Sequence, residues 1–268
     1  MKLTKYENQI CDISTDLFRN DEYSFFVLTK ILKSPCRLTI TDKERIIICH
    51  STNPYPVWVW MPDNATEEEK KAAYDLVKEN FGFCAGYGFN MKYELADYFI
   101  KRAKSEGFDL GISLNLFSYK CDKLVLPKKI SKGTHRTAQI EDLDLATKWS
   151  QLFHEELNLD ILDYDTTREH MKDLINSQRL FFWCDEEGEP VAMTSYKTAE
   201  DKGSICNVYT ALDKRRNGYA ANLVYHVTSQ VFALSKTPVL YTDADYSASN
   251  ACYESIGFVK MGSLCTIK

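Results

Sequence analysis

The chain has 268 residues, of which 44% are hydrophobic and 26% charged, and its formal net charge is −5 at pH 7. This composition is ordinary for a globular protein, and the length allows either two domains or one large domain. The negative charge argues against a nucleic-acid surface, and no apolar run approaches the roughly 18 residues that a membrane helix needs. We therefore expect a globular protein that binds neither nucleic acid nor membrane.

The placement of cysteine and histidine predicts no metal site. The nine cysteines contain no C-x-x-C pair, and the five histidines show no ligand spacing. The odd number of cysteines also argues against a disulfide framework, and the first residues lack the apolar segment of a secretory signal. We expect reduced thiols in a cytoplasmic protein.

The first half of the chain is predicted to begin with strands and to continue with helices. A capping box of Thr66 and Glu69 starts a helix that runs through Phe81. Apolar spacing predicts the other elements, which are helices at Glu22–Lys33 and Lys92–Glu106 and strands at Leu38–Ile40, Ile46–Cys49, Val57–Trp60 and Ile112–Tyr119.

A domain boundary is predicted near the middle of the chain. Residues 126–133 combine a proline, lysines and a glycine between apolar strands, which is typical of an interdomain linker. We therefore expect an N-terminal domain of residues 1–125 and a C-terminal domain of residues 134–268.

The C-terminal half alternates strands and helices. Its second helix is predicted to begin at a capping box formed by Thr166 and Glu169. The first elements in chain order are the strand Arg136–Ile140, a helix carried by Leu143 to Leu157, the helix from Thr166, the strands Leu180–Cys184 and Val191–Tyr196, and the strand Ser204–Thr210. A helix, a strand ending at Asp243, a short helix and a closing strand complete the order.

The stretch Asn207–Ala220 carries the first chemical signal. It predicts a strand, a basic loop and the first turn of a helix with an apolar stripe. Within it, Arg215-x-x-Gly218-x-Ala220 places small residues where a backbone approaches a ligand. The opening turn of the helix offers unpaired N–H groups and a positive dipole end to a phosphate. Taken alone, however, such a string more often marks an ordinary turn between a strand and a helix.

A second signal lies further along the chain. Tyr253 stands four residues before Gly257-Phe258, on a short helix that Gly257 is expected to end. Together with the first string, this pattern resembles the two signatures of the GNAT superfamily of N-acetyltransferases. The resemblance covers roughly residues 134–268 and extends to a Val-Tyr-Thr strand and a Thr-Asp-Ala-Asp turn, here Val208–Thr210 and Thr242–Asp245.

The resemblance implies an α/β fold, with a mixed sheet flanked by helices on both faces. The first half resembles a degenerate copy of the same fold, so we expect two such domains in tandem. That half has no phosphate loop before a helix. Its aromatic residues suit either the wall of an acceptor pocket or a core, and they include Tyr55, Trp58, Trp60 and Phe89.

The resemblance also implies a site for acetyl-CoA as co-substrate. The strand pairs its backbone with the pantetheine arm, the loop amides hold the pyrophosphate, and Tyr253 is the catalytic acid that protonates the leaving thiolate. A phenol with a pKa of about 10 keeps its proton at neutral pH, which suits that role. The residues implied to bind the cofactor are Asn207, Val208, Tyr209, Thr210, Arg215, Arg216, Asn217, Gly218, Tyr219, Ala220, Asn250 and Tyr253.

Two departures from the family pattern leave residue roles open. Many relatives carry an Asn seven residues before the tyrosine, where this chain has Tyr246, so Asn250 is expected to make that hydrogen bond. Many relatives also carry a glutamate base on the strand, where Asn207 cannot titrate. The alternative bases are Asp243, Glu155 and His154.

The predicted function is direct transfer of an acetyl group from acetyl-CoA to a primary amine of a small-molecule or peptide acceptor. One alternative is an acyltransferase that acts on an amino acid or another amine bearing a carboxylate. Another is a non-catalytic CoA-binding scaffold, which the missing strand glutamate favours. An acyl-enzyme on Cys206 or Cys252 has less support, because no histidine has a recognisable relation to either thiol.

Overall fold

Strands and helices follow one another almost as the sequence predicts in the computed structural model, which describes residues 2–13, 15–157 and 162–268. The strands are β1 Thr4–Tyr6, β2 Leu38–Thr41, β3 Ile47–His50, β4 Val57–Trp60, β5 Phe89–Met91, β6 Ile112–Cys121, β7 Thr134–Thr137, β8 Leu180–Cys184, β9 Pro190–Ala199, β10 Lys202–Thr210, β11 Thr237–Asp243 and β12 Phe258–Ile267. The helices are α1 Asp16–Arg19, α2 Phe26–Ile31, α3 Glu67–Phe81, α4 Tyr93–Ser105, α5 Leu143–Glu156, α6 Tyr164–Asn176, α7 Tyr219–Ala233 and α8 Ser247–Ser255. None of these described helices is both long enough and apolar enough to cross a membrane.

The chain forms two compact units, each assembled from separate segments. Unit 1 contains the chain up to Ser118 together with Tyr241–Asp245 and Met261–Lys268, and unit 2 contains Tyr119–Leu240 and Tyr246–Lys260. Strands β6, β11 and β12 therefore contribute residues to both units. Residues 126–133, predicted as a linker, lie inside unit 2.

Unit 1 has helices on both faces of its strands. β2, β3 and β4 pair antiparallel, β4 pairs parallel with β5, and β5 pairs antiparallel with the end of β12. Ile46, just before β3, and Ile48 join the cluster of α3 and α4, whereas Ile47 and Cys49 join the cluster of α1 and α2. This alternation is the two-residue period of a strand that is buried on both faces.

The aromatic residues of the first half serve mainly as core. Trp58, Trp60 and Phe89 are buried in the two clusters of unit 1, and Trp60 also donates a hydrogen bond from Nε1 to Asp21 at 2.8 Å. Tyr55 is the exposed member of the predicted set. Of the two uses that the sequence leaves open for these side chains, the structure therefore supports core packing for the three buried ones.

Unit 2 is built in the same way. β7, β8, β9 and β10 pair antiparallel, and β10 pairs parallel with β11. Helices α5 and α6 pack against one face through a cluster that includes Trp149, Leu174, Phe182 and Tyr209. Helix α7 packs against strands β8, β9 and β10. The predicted mixed sheet flanked by helices is thus confirmed.

The two units repeat one order of elements. Three antiparallel strands, a helix, a parallel strand and a second helix occur in unit 1 as β2-β3-β4-α3-β5-α4 and again as β8-β9-β10-α7-β11-α8. This repetition supports the expectation that the first half is a degenerate copy of the second.

Two helix starts differ from their predictions. The predicted helix Glu22–Lys33 is shorter, because α2 covers Phe26–Ile31. Helix α6 begins at Tyr164, and its N-cap is Asp163, whose carboxylate accepts hydrogen bonds from the backbone N–H and hydroxyl of Thr166. The predicted cap at Thr166 was wrong, since the carboxylate three residues earlier takes the N-cap position. The capping box of Thr66 and Glu69 is confirmed.

A glycine sets how closely α7 lies on the sheet. A Cβ added to Gly203 of β10 would clash with the side chain of Val231 on α7. We expect Gly203→Ala to lower the free energy of unfolding by about 1–3 kcal/mol, the usual range for overpacking. Urea titration would measure it. In a background of Val231→Ala, which removes the clashing methyls, the same change should have a smaller effect, and equal effects in both backgrounds would contradict close helix docking.

A stacked histidine pair joins β7 to α7. The rings of His135 and His226 lie 3.3 Å apart between centroids, and burial, aided by His135, lowers the pKa of His226 to about 4. Between an unfolded value of about 6.5 and this folded value, the unfolded chain binds a proton that the folded chain does not. His226 should therefore not destabilise the fold above about pH 6.5. The free energy of unfolding should decline as the pH falls from there toward 4.

Urea midpoints at pH 7 and pH 4.5 test this linkage. His226→Gln should reduce the loss of stability between the two pH values, because the glutamine does not titrate. If the variant and the parent lose the same amount of stability, another group is responsible for the acid sensitivity.

Candidate functional site

Strand β10 is irregular at the residues predicted to bind a cofactor. Its register with β9 pairs Cys206 with Ser195 and then Tyr209 with Met193, so one extra residue is inserted, and Asn207 has a φ of 53°. Such a bulge bends a strand and locally interrupts its ladder. In the described part of the chain, the parallel register with β11 covers only Lys202–Ser204. The β11-facing edge of the later residues is therefore suited to pair with an extended ligand.

The bulge is held from the β9 side. The amide of Asn207 donates from Nδ2 to Ser195 Oγ at 3.0 Å, and Thr194 Oγ1 donates to the carbonyl of Cys206 at 3.0 Å. Asn207 thus has a structural partner and no titratable group.

The loop after β10 opens helix α7 without a side-chain cap. Gly218 is the N-cap and has left-handed angles, φ 86° and ψ 0°, which glycine adopts without strain. Arg216 also has a positive φ, of 65°. Among the residues that the structure describes, no side chain caps this end and no acid stands in its first turn. The first amides of α7 and its positive dipole end are therefore available to an anion.

The corresponding helix of unit 1 is closed to anions. Thr66 caps α3, Glu69 reaches back to the N-cap backbone, and Glu67 and Glu68 complete an acidic first turn. Three carboxylates beside the helix start would repel a phosphate. The contrast explains why the start of α7, and not that of α3, is the candidate phosphate site.

Arg215 anchors the loop. Its guanidinium lies 2.7 Å from both carboxylate oxygens of Glu156 on α5, and its Nε donates to the carbonyl of Thr210 at 3.0 Å. It also lies over the ring of Tyr209, 5.7 Å from the centroid. The side chain is therefore committed to fixing the loop against α5 and the end of β10, whereas Arg216 is exposed.

Tyr253 on α8 is buried and keeps its proton. Its side chain is 6% exposed and lies among the rings of Tyr119 and Phe258, 6.5 and 6.1 Å away between centroids. Burial raises the pKa of Tyr253 well above its usual value, and the thiols of Cys252 on α8 and Cys206 on β10 add to the rise. The phenol therefore stays protonated at neutral pH and can act as a proton donor.

The second signature is fixed by the segment that precedes β7. Gly257 has a φ of 103°, and a Cβ there would clash with the carbonyl of Lys123. The Val125 N–H donates to the carbonyl of Ile256 at 2.9 Å, and the Tyr119 hydroxyl donates to Glu254 at 2.9 Å. Gly257 is thus required by its angle and by the close approach of another backbone, besides ending the helix.

The same segment also fixes the loop before α7. Ser131 Oγ donates to the carbonyl of Asn217 at 2.8 Å. The amide nitrogen of Asn222 on α7 lies within hydrogen-bonding distance of the carbonyls of Lys129 and Gly218 and of Ser131 Oγ, at 2.8, 3.0 and 3.1 Å. Ser131 and Asn222 are both 6% exposed. Sequence patterns missed these two residues, although a buried asparagine on an apolar helix face is a signal that could have found one of them.

The remaining predicted residues occupy different parts of the site. Asn217 is exposed and donates from Nδ2 to the carbonyl of Lys214 at 3.1 Å, while Tyr219 and Ala220 are half-buried in the first turn of α7. Asn250 is buried on α8. All the predicted cofactor-binding residues, from Asn207 on β10 to Tyr253 on α8, therefore belong to unit 2.

The alternative bases are divided between the units. His154 and Glu155 lie near the end of α5 in unit 2. Asp243 belongs to unit 1, where its Oδ1 accepts a hydrogen bond from the backbone of Asp245 at 2.8 Å. These contacts do not favour any one of the three residues as the base, so the identity of the base stays a prediction.

Comparisons with known proteins agree with this geometry. The family model described as FR47-like protein matches residues 185–266, which include the bulged strand, the loop and the Tyr-x-x-x-Gly-Phe pattern. No curated protein matches the sequence.

Three solved structures that are similar to most of the chain are acetyltransferases by name. A GNAT-family acetyltransferase from Colwellia psychrerythraea has a TM-score of 0.57 at 12% identity, covering 100% of this chain and 98% of its own. A GCN5-related N-acetyltransferase from Kribbella flavida has a TM-score of 0.61 at 14% identity, with coverages of 94% and 95%. Another from Sphaerobacter thermophilus has a TM-score of 0.63 at 11% identity, with coverages of 86% and 79%. At these identities the similarity establishes the fold.

Proposed function

We propose that this chain, which belongs to the GNAT superfamily by its fold and its FR47-like segment, is an N-acetyltransferase that uses acetyl-CoA to acetylate a primary amine. The observation that carries the proposal is the union, within unit 2, of an uncapped helix start, a bulged strand and a buried, protonated tyrosine. Each feature matches one chemical part of acetyl-CoA, namely the pyrophosphate, the pantetheine arm and the thioester.

The first turn of α7 binds the pyrophosphate in this proposal. The group spreads its charge over several oxygens, so it is suited to several backbone amides, here those of Arg216–Ala220. Gly218 allows the left-handed turn that starts the helix, and Arg215 holds the loop through Glu156. Binding therefore depends on backbone geometry that neighbouring side chains maintain.

The bulged strand binds the pantetheine arm and the reacting carbonyl. The backbone of Asn207–Thr210 pairs with the amides of the arm as a further strand would. The N–H of Val208 then donates to the oxyanion that develops at the thioester carbon. The hydrogen bonds from Asn207 and Thr194 keep this part of the backbone in place before the ligand arrives.

Acetyl-CoA supplies a thioester carbonyl for attack by a neutral amine and a thiolate as leaving group. Tyr253 donates its hydroxyl proton to the departing sulfur and is reprotonated from solvent. The amine must lose one proton to be neutral before attack and another once it is acylated. Since Asn207 cannot accept them, a base elsewhere or a water chain does so, and Glu155, His154 and Asp243 remain the alternatives.

Activity assays distinguish direct acetyl transfer from two other functions. An acyltransferase for amino acids would acetylate amines that bear a carboxylate in preference to others in a panel. A CoA-binding scaffold would bind acetyl-CoA with no turnover against any amine, and the missing strand carboxylate is the feature that favours it. We place direct acetyl transfer first because burial keeps an acid at Tyr253.

Blocking the loop should abolish cofactor binding. Acetyl-CoA should raise the thermal midpoint of the parent, because it binds the folded state alone, and calorimetry should give one molecule per chain. Gly218→Glu introduces a bulky negative charge at the helix start and should remove this stabilisation.

A matched control uses the turn between β8 and β9. Gly188 also has a positive φ, of 88°, but a Cβ there meets nothing within 4 Å. Gly188→Glu should therefore remain stabilised by acetyl-CoA. A folded Gly218→Glu variant that is stabilised as strongly as the parent would show that the phosphate assignment is wrong.

Removing the proton donor should slow turnover while leaving binding intact. Tyr253→Phe keeps the ring and its packing, and turnover should fall roughly 10²–10⁴-fold, toward the low end, because a thiolate leaves readily even without an acid. Steady-state rates and calorimetry measure the two effects separately. Tyr119→Phe removes a hydroxyl from the neighbouring ring and should alter turnover much less. Equal rates for Tyr253→Phe and the parent would assign Tyr253 to packing.

A further inference from the structure

Lys129 and Ser131 lie against the start of α7. A Cβ built on Gly218 would be 2.9 Å from Ser131 Oγ and 3.5 and 3.6 Å from Cδ and Cγ of Lys129. The backbone carbonyl of Lys129 accepts from the buried amide of Asn222, which also reaches the carbonyl of Gly218. The aliphatic part of Lys129 is thus fixed beside the N-cap, and its amine is only two bonds beyond Cδ.

Three other basic side chains near the loop are paired with acids, whereas Arg216, in the loop itself, is exposed. Arg215 is paired with Glu156 at 2.7 Å, Lys214 with Asp185 at 3.2 Å and Lys132 with Glu186 at 3.0 Å. Lys129 is exposed, and within the described ranges no acid lies within salt-bridge distance of its amine. A cation beside the uncapped start of α7 is therefore available to a ligand.

We infer that Lys129 binds a phosphate group of coenzyme A at the α7 N-terminus. This inference rests on the proposed function and adds to it a residue outside the segment 185–266 that the family model matches. The amides of the loop provide directed hydrogen bonds, and an ammonium adds a point charge that attracts a phosphate from any side. Ser131 and Asn222 are positioning residues, since their hydrogen bonds place both the loop and the backbone of Lys129.

The experiment compares two neighbouring lysines by calorimetry with coenzyme A. Lys129→Gln should weaken binding roughly five- to thirtyfold, the range of a charge-assisted hydrogen bond to a partly exposed group. Lys128→Gln makes the same change in charge on the adjacent exposed residue, which contributes none of the three atoms nearest to a Cβ on Gly218, and should have little effect. Lys129→Arg keeps the charge and should bind nearly as the parent does. Added salt should weaken binding to Lys129→Gln less steeply than binding to the parent.

Dephospho-CoA, which lacks the 3′-phosphate, identifies the group that is bound. A loss with both ligands assigns Lys129 to the pyrophosphate, whereas a loss with coenzyme A alone assigns it to the 3′-phosphate, and either result supports the inference. Equal affinities of Lys129→Gln and Lys128→Gln for coenzyme A would overturn it while leaving the proposed function standing. A parent chain that binds no coenzyme A would overturn both.

Discussion

The candidate site depends on a helix start that is kept uncapped. A helix leaves its first N–H groups without partners inside the helix, and most helices satisfy some of them with a side chain. Helix α3 of unit 1 does so with Thr66, whereas α7 begins at Gly218 without such a cap in the described structure. A flexible loop could fold back and satisfy these amides itself. Here the loop is held by the ion pair of Arg215 with Glu156 and by the hydrogen bond of Ser131 to Asn217.

Local patterns predicted the local structure around the candidate residues well. Gly218 and Tyr253 each belong to a string of six residues, and a turn, a helix start and a helix end are determined largely by neighbours in sequence. The supports of those parts were not predictable in this way. Ser131 contacts Asn217, which lies 86 residues later in the chain, and Lys123 contacts Gly257, which lies 134 residues later.

The division of the chain into two units was the feature of the fold that was hardest to predict from the sequence. Residues 126–133 have the composition of a linker, yet Ser131 is buried against α7, and Gly133 lies so close to the carbonyl of Cys184 that a side chain there would clash. Met261–Lys268, at the other end, belong to unit 1, where Cys265 and Ile267 join its core. A fragment of residues 134–268 would lose the supports of both signatures and would expose those core residues. Binding should therefore be measured with the full chain.

The environment of Tyr253 sets how strong an acid it is. Burial keeps the proton on the phenol but also raises its pKa above the usual value of about 10, whereas an ordinary thiol has a pKa of about 8.5. Proton transfer to a thiolate that has already departed would thus be uphill. The hydroxyl is better suited to donate a hydrogen bond while charge builds on the sulfur, with the proton following as the carbon–sulfur bond breaks. Because Asn207 offers no base on the strand, the acceptor's own loss of a proton, rather than departure of the thiolate, is the step of the proposed reaction that these residues assist least.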